Sequence, residues 1–344
     1  MQLAAYELYK TLAVHNDVTL IKWGGSNKLL PVVYVWLLIQ ALIAGLKKRP
    51  DVIYLQDGLM APLGSILRLC LHRPTLITIH GKEATYGNPL YKVMVPPFVR
   101  RQDQLVTVSN DTKETVERAF PGTHPIVIFN GVSDGFYAPD RQGFIAEVAS
   151  AAGLTIEQLR DHKLLYTNGR LVRRKGVLWF VNEVMPKLAA GSPVLYLVSG
   201  EGRDRQAIEA AIAERGLEGQ VKLLGRVSDR LRQALYNVAD IFLMPNVPVK
   251  NDMEGMGLVA LEAASCGTTV VASDLEGIPD AIQNHKNGIL VEPTNAEQYL
   301  DVIGRELKHP SLRPDAVRDY TLTHYSWRER AADYEAAMQA LVRD

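Results

Sequence analysis

Cysteine is almost absent from this 344-residue sequence: Cys70 and Cys266 are the only two, far apart and without the spacing of metal ligands. A disulfide framework and a zinc site are thereby set aside, and a reducing cytoplasm is the expected location. Net charge is lacking too, with 38 Lys plus Arg against 38 Asp plus Glu. No recognised base-reading motif occurs, so nucleic acid is not an expected partner. A charged, apolar, small-residue leader is missing, because residues 1–14 already read as an amphipathic helix. Nor is there an uncharged apolar run of the ~20 residues needed to span a bilayer. The nearest is residues 29–46, with only Gln40 strongly polar and Lys47, Lys48 and Arg49 behind it. Pro31 is expected to trim its helix to about 15 residues. A buried crossover helix is the plain reading. Another is a helix that dips into one leaflet, joined by residues 91–101 with Val93, Met94, Val95, Phe98, Arg100 and Arg101.

What is present describes an ordinary globular chain, 47% hydrophobic and 22% charged, long enough for two domains of typical size. The zero net charge hides an asymmetry. Residues 1–125 hold 14 Lys plus Arg against 9 Asp plus Glu, or +5, leaving 24 against 29, or −5, for the rest. A basic first half suits a plain solvated face, or peripheral contact with the anionic inner face of a membrane. β-Type runs alternate with helical patterns throughout. Candidate strands are 18–22, 52–55, 76–79, 104–108 and 126–129, then 164–167, 194–198, 221–224, 241–244, 269–272 and 289–291. This alternation predicts an α/β chain of two Rossmann-like domains facing across a cleft, each with a parallel sheet and crossover helices.

The chemistry concentrates in the second half. Glu254 and Glu262 stand eight residues apart in the run Glu254-Gly255-Met256-Gly257-Leu258-Val259-Ala260-Leu261-Glu262. Gly255 and Gly257 let the backbone turn tightly, and a helix starting near Leu258 offers unpaired N–H groups and the positive end of its dipole. That layout suits a diphosphate, and the two carboxylates would accept hydrogen bonds from sugar or ribose hydroxyls. A loop glutamate plus a solvated helix glutamate is the bland alternative. Upstream, Gly169-Arg170-Leu171-Val172-Arg173-Arg174-Lys175-Gly176 follows a strand-like run. Arg170 as a planar fork and Lys175 as a point charge could neutralise a leaving diphosphate; a solvated basic turn is the alternative. Gly200-Glu201-Gly202 and Gly225-Arg226-Val227 each follow a strand, at the edge where an open parallel sheet keeps its ligands.

In that order these signals resemble glycosyltransferase family 4, the retaining enzymes of the GT-B fold. The pattern of Gly-Arg, Lys-Gly, Gly-x-Gly, Leu-Gly and Glu-x7-Glu is met in sequence, and Thr78-Ile79-His80-Gly81 is similar to a strand-end motif of the first domain. The resemblance implies an N-terminal acceptor-side domain, 1–150, and a nucleotide-sugar domain, 151–325. A C-terminal helix, 326–344, would return to the first domain. The connection between domains is expected in or near residues 134–161. Family members usually open with a strand and glycine-rich loop that this sequence does not show.

The resemblance also implies roles. His80, Arg170, Lys175 and Glu254 form the catalytic set, with Glu254 on the donor sugar and His80 on its ring. Gly169, Gly200, Gly202, Arg226, Val227, Gly255, Met256, Gly257, Leu258, Val259 and Glu262 bind the donor, with Glu262 on the ribose. No Asp-x-Asp pair occurs, so neither a metal nor another cofactor is expected, and arginine and lysine take the cation's place. The expected activity is transfer of a hexose, mannose or glucose, from a nucleotide sugar to a hydroxyl of a glycan, lipid or small molecule. The alternatives are an inactive nucleotide-sugar-binding module and a GT-B sugar epimerase.

Overall fold

The computed structural model describes residues 2–23, 30–85, 91 and 95–343. The chain divides into two compact units, Met1–Gly131 with Trp327–Asp344, and Val132–Ser326. Each is built on one parallel sheet flanked by helices.

In the first unit, β1 (Ile53–Leu55), β2 (Thr75–Ile79), β3 (Gln104–Thr107) and β4 (Ile126–Val127) lie side by side in that order. Alternate residues serve opposite faces, and both faces are covered, which is why the strands read as continuous apolar runs. Leu76 and Val106 join Leu8, Leu12 and Tyr334, so helices Gln2–Leu12 and Trp327–Arg343 cover one face. Ile77, Ile79 and Leu105 join Leu63 and Leu67 under helices Leu30–Lys48 and Ala61–Leu71 on the other. A buried hydroxyl chain fixes the C-terminal helix to the sheet: Tyr54 Oη lies 2.8 Å from Thr78 Oγ1, which lies 3.0 Å from Tyr334 Oη.

Several expectations for this half need correction. Residues 18–22 form no ladder. Among the described residues β1 pairs only with β2, and a β-type run without a neighbour leaves its backbone groups to other partners. Pro31 does not trim its helix: it is the second residue of Leu30–Lys48, where a missing N–H removes no intrahelical bond, and the helix runs 19 residues. Of residues 91–101, Val93 and Met94 lie outside the described residues. Tyr91, Val95 and Val99 sit in the core with Phe98 packed against it, so they offer no outward apolar face.

The break between units falls at Gly131 and Val132, about twenty residues before the expected 150/151. Helix Gln142–Ala152 buries Phe144, Val148 and Ala149 and packs on helix Asp229–Val238, with Arg230 Nε 3.0 Å from Glu147 Oε2. Glycine and proline suggested a linker there, but the apolar stripe of this helix demands a partner.

The second sheet holds β5 (Lys163–Asn168), β6 (Val194–Ser199), β7 (Val221–Gly225), β8 (Ile241–Met244), β9 (Thr269–Ser273) and β10 (Ile289–Val291) in the order β10-β9-β8-β5-β6-β7. All six residues of β6 are buried. The order reverses at β5, with β6 and β7 added on one side and β8 to β10 on the other. Connections leaving β5 and β8 therefore diverge at the carboxyl edge and open the crevice where such sheets bind ligands.

Candidate functional site

The loop after β5 is fastened to its neighbours by backbone bonds. Gly169 N donates to Ser199 O at 3.0 Å, Leu171 N to Glu201 O at 3.0 Å, and Asp204 N to Leu171 O at 3.0 Å. Val247 N, beyond β8, donates to Arg174 O at 3.0 Å. The turn Arg173–Lys175 that follows points two cations inward, Arg174 and Lys175, both buried. The Lys175 side chain runs close over Gly169, where a Cβ would stand 3.5 Å from its Cε.

These cations meet Glu254 from the loop after β8. Lys175 Nζ lies 2.6 Å from Glu254 Oε2, Arg174 Nη1 donates to the same oxygen, and Asn246 Nδ2 donates to it at 3.2 Å. Arg174 Nε reaches Asp252 Oδ1 at 3.2 Å. The Glu254 backbone is held as well: its N–H donates to the Glu276 carboxylate and its carbonyl accepts from Gly277 N at 3.3 Å. Three donors thus converge on one carboxylate oxygen, leaving Oε1 as the acceptor face.

Burial by itself would raise the Glu254 carboxyl, but the Lys175 and Arg174 cations overcome it and hold the group down to about 2, from 4.5. Burial lowers the Lys175 ammonium, against the pull of Glu254. A depressed carboxyl adds stability that is complete above the unfolded value near 4.5 and is lost as pH falls toward 2. We expect urea stability to decline across that window by up to about 3 kcal/mol from this group. An NMR titration of the Glu254 carboxyl, assigned with Glu254→Gln, checks it; a midpoint at or above the ordinary glutamate value sinks the coupling.

The helix mouth lies next in sequence. Gly257, at φ 86°, is the N-cap of helix Leu258–Ser265, a conformation that suits glycine, and no side chain caps the first turn. Glu262 stands on the second turn. Its Oε2 accepts from Tyr236 Oη at 2.6 Å, and Tyr236 Oη accepts from Asn168 Nδ2 at 3.0 Å. Asn168 Oδ1 accepts from Ser199 Oγ at 2.9 Å, so a buried polar chain ties the glutamate to the ends of β5 and β6. Burial raises the Glu262 carboxyl, partly offset by the Tyr236 hydroxyl.

Of the residues singled out from sequence, Gly169, Lys175, Glu254, Gly255, Met256, Gly257, Leu258, Val259 and Glu262 lie on the loops and helix following β5 and β8. Gly200 and Gly202 adjoin through β6, Gly200 N donating to Gly225 O at 2.7 Å. Arg226 and Val227 follow β7, two strands from β5, and Arg226 is exposed. Arg170 is also exposed, close enough for its charge to push the Lys175 ammonium down. His80 belongs to the first unit. Its Nε2 lies 3.1 Å from Gln56 O, so that nitrogen carries the proton, and burial lowers the ring to about 4, leaving it neutral near pH 7.

Sequence reasoning missed Arg174, Asn246 and Tyr236. Arg174 lay inside a visible signal, the run of three basic residues before Gly176. Tyr236, on a helix 26 residues from Glu262, had none.

Known proteins resemble this chain in sequence and in fold. Residues 4–136 match the family described as Glycosyltransferase Family 4, and residues 162–309 match Glycosyl transferases group 1. An uncharacterized glycosyltransferase of Methanocaldococcus jannaschii is 26% identical over 309 residues, 85% of this chain and 77% of that protein. The GDP-mannose-dependent alpha-(1-6)-phosphatidylinositol monomannoside mannosyltransferase of Mycolicibacterium smegmatis is 26% identical over 281 residues, 79% and 72% of the two chains. Among solved structures, sucrose-phosphate synthase from Thermosynechococcus elongatus superposes with a TM-score of 0.77 at 19% identity, covering 98% of this chain and 92% of that one. Anabaena HepE in complex with UDP and glucose gives 0.72 at 18% identity, covering 92% and 83%. These structural likenesses establish the GT-B fold, and the two family matches establish the lineage. The chain belongs to the family 4 glycosyltransferases, transferase enzymes built on the GT-B fold.

Proposed function

We propose that the chain moves a hexose, mannose or glucose, from a nucleoside diphosphate sugar to an acceptor hydroxyl on a lipid, glycan or small molecule, with retention of anomeric configuration. One observation carries this reading: a buried Lys175–Glu254 pair and an uncapped helix mouth with Glu262 on its second turn follow the two strands where the sheet order reverses. Negative charge grows on the departing diphosphate as the glycosidic bond breaks. Lys175, Arg170 and the N–H groups of Leu258 and Val259 are the donors for it, so they act most strongly in the transition state. Glu262 Oε1 takes ribose hydroxyls and Glu254 Oε1 takes the donor sugar. Asn246 Oδ1, buried without a partner among the described residues, adds an acceptor beside Glu254. Fixed cations make a metal unnecessary in this scheme, so turnover should survive a chelator. The relative named as GDP-mannose-dependent and the neighbour solved with UDP and glucose support a nucleotide-sugar donor.

Thermal-shift titration with GDP-mannose, UDP-glucose and UDP-N-acetylglucosamine identifies the donor, since bound ligand raises stability by mass action. Labelled donor then separates the outcomes. Transfer or slow hydrolysis supports the reading, retention of intact donor marks a binding module, and conversion of free nucleotide sugar marks an epimerase. Glu262→Ala is expected to weaken donor binding by roughly 10-fold or more, the loss of hydrogen bonds to a charged group. Unchanged affinity would remove Glu262 from the site.

A further inference from the structure

The helix Leu30–Lys48 has two apolar sides, and only one of them is used. Tyr34, Leu37, Leu38 and Leu42 face the core beside helix Ala61–Leu71. On the outer side Val32, Val35, Trp36, Ile39, Ile43 and Leu46 recur at helical spacing. Each of those six is 42–71% exposed. A soluble helix normally spends that side on charged residues, and a contiguous apolar stripe marks an interaction surface. The adjoining helix adds exposed Ile66 and Leu69.

The surroundings of the stripe bear on what covers it. Lys22, Lys47, Lys48 and Arg49 flank the stripe, with Asp17 and Asp51 the nearest acidic residues in sequence, and Asp17 Oδ2 lies 3.5 Å from Lys48 Nζ. Trp23 and Trp36 meet edge to face, ring centroids 6.2 Å apart, both more than a third exposed. Lys22 Nζ sits 5.1 Å over the Tyr6 ring. An apolar stripe bordered by amphipathic aromatic rings and by more cations than carboxylates has the composition of a helix lying in the headgroup region of an anionic bilayer. No helix among the described residues is long and apolar enough to cross a membrane, so the contact is with one leaflet.

We propose that the outer face of helix Leu30–Lys48, with Trp23 beside it, docks the enzyme on an anionic lipid surface. The inference rests on the first unit alone and is independent of the donor reading. The full chain should sediment with phosphatidylglycerol–phosphatidylcholine vesicles and bind phosphatidylcholine alone more weakly. Its tryptophan emission should shift to the blue on binding, and most of that shift should disappear in Trp36→Phe. Ile39→Glu with Ile43→Glu, at exposed positions, should abolish sedimentation. Lys47→Gln with Lys48→Gln, at the exposed helix end, should weaken binding on the order of 10-fold, and it keeps the test decisive if the glutamate pair fails to fold. Absence of wild-type binding to anionic vesicles, binding indifferent to the substitutions, or a concentration-dependent dimer that Ile39→Glu dissociates without any lipid binding would each overturn the proposal.

Discussion

Lys175→Met is expected to lower turnover by roughly 100- to 1000-fold, the range seen when a single preorganised donor to a developing anion is removed. The ammonium is buried and 2.6 Å from Glu254 Oε2, so no water replaces it readily once the side chain is gone. Its loss leaves Glu254 with Arg174 and Asn246, which keeps the carboxylate compensated and the fold intact. The split between constants is the informative readout. A group that acts on charge present mainly in the transition state lowers kcat more than it raises KM. Turnover within about 10-fold of the parent, in a protein that melts normally, would take Lys175 out of the chemistry.

Gly200→Ala is expected to remove donor binding and to lower the melting midpoint by roughly 10 °C, the equivalent of about 3–5 kcal/mol in a unit of this size. A Cβ at that position would stand 1.8 Å from Gly169 O and 2.8 Å from Gly169 C, and the residue has φ 125°, a region L side chains rarely adopt. Neither neighbour is free to give way. Gly169 N is bonded to Ser199 O, and Gly200 N to Gly225 O, so the ends of β5, β6 and β7 would have to part together. Gly219→Ala is the control: its Cβ would meet nothing within 4 Å and it should leave stability nearly unchanged. Equal behaviour of the two variants would show that the glycine loop tolerates repacking.

Apart from residues 18–22, the strands of both sheets and the backbone of the candidate site were legible in the residue order. Runs such as Val194–Ser199 declare a strand buried on both faces, and the glycine before Leu258 declares where a helix opens. Glu254 and Glu262 could be read as one unit because their separation lies within a single loop and helix. Which charges meet depended on packing between distant segments. Lys175 was expected to act with its near neighbour Arg170 on a diphosphate; what sequence did not show is its ion pair with Glu254, 79 residues away, shared with a second buried cation, Arg174. Tertiary structure also decided that residues 18–22 pair with no strand, that helix Gln142–Ala152 belongs to the second unit, and that one side of helix Leu30–Lys48 is left outside. Periodicity and propensity are local properties and survive translation into structure, whereas ion pairing, ladder pairing and the choice between two apolar faces depend on what another part of the chain brings alongside.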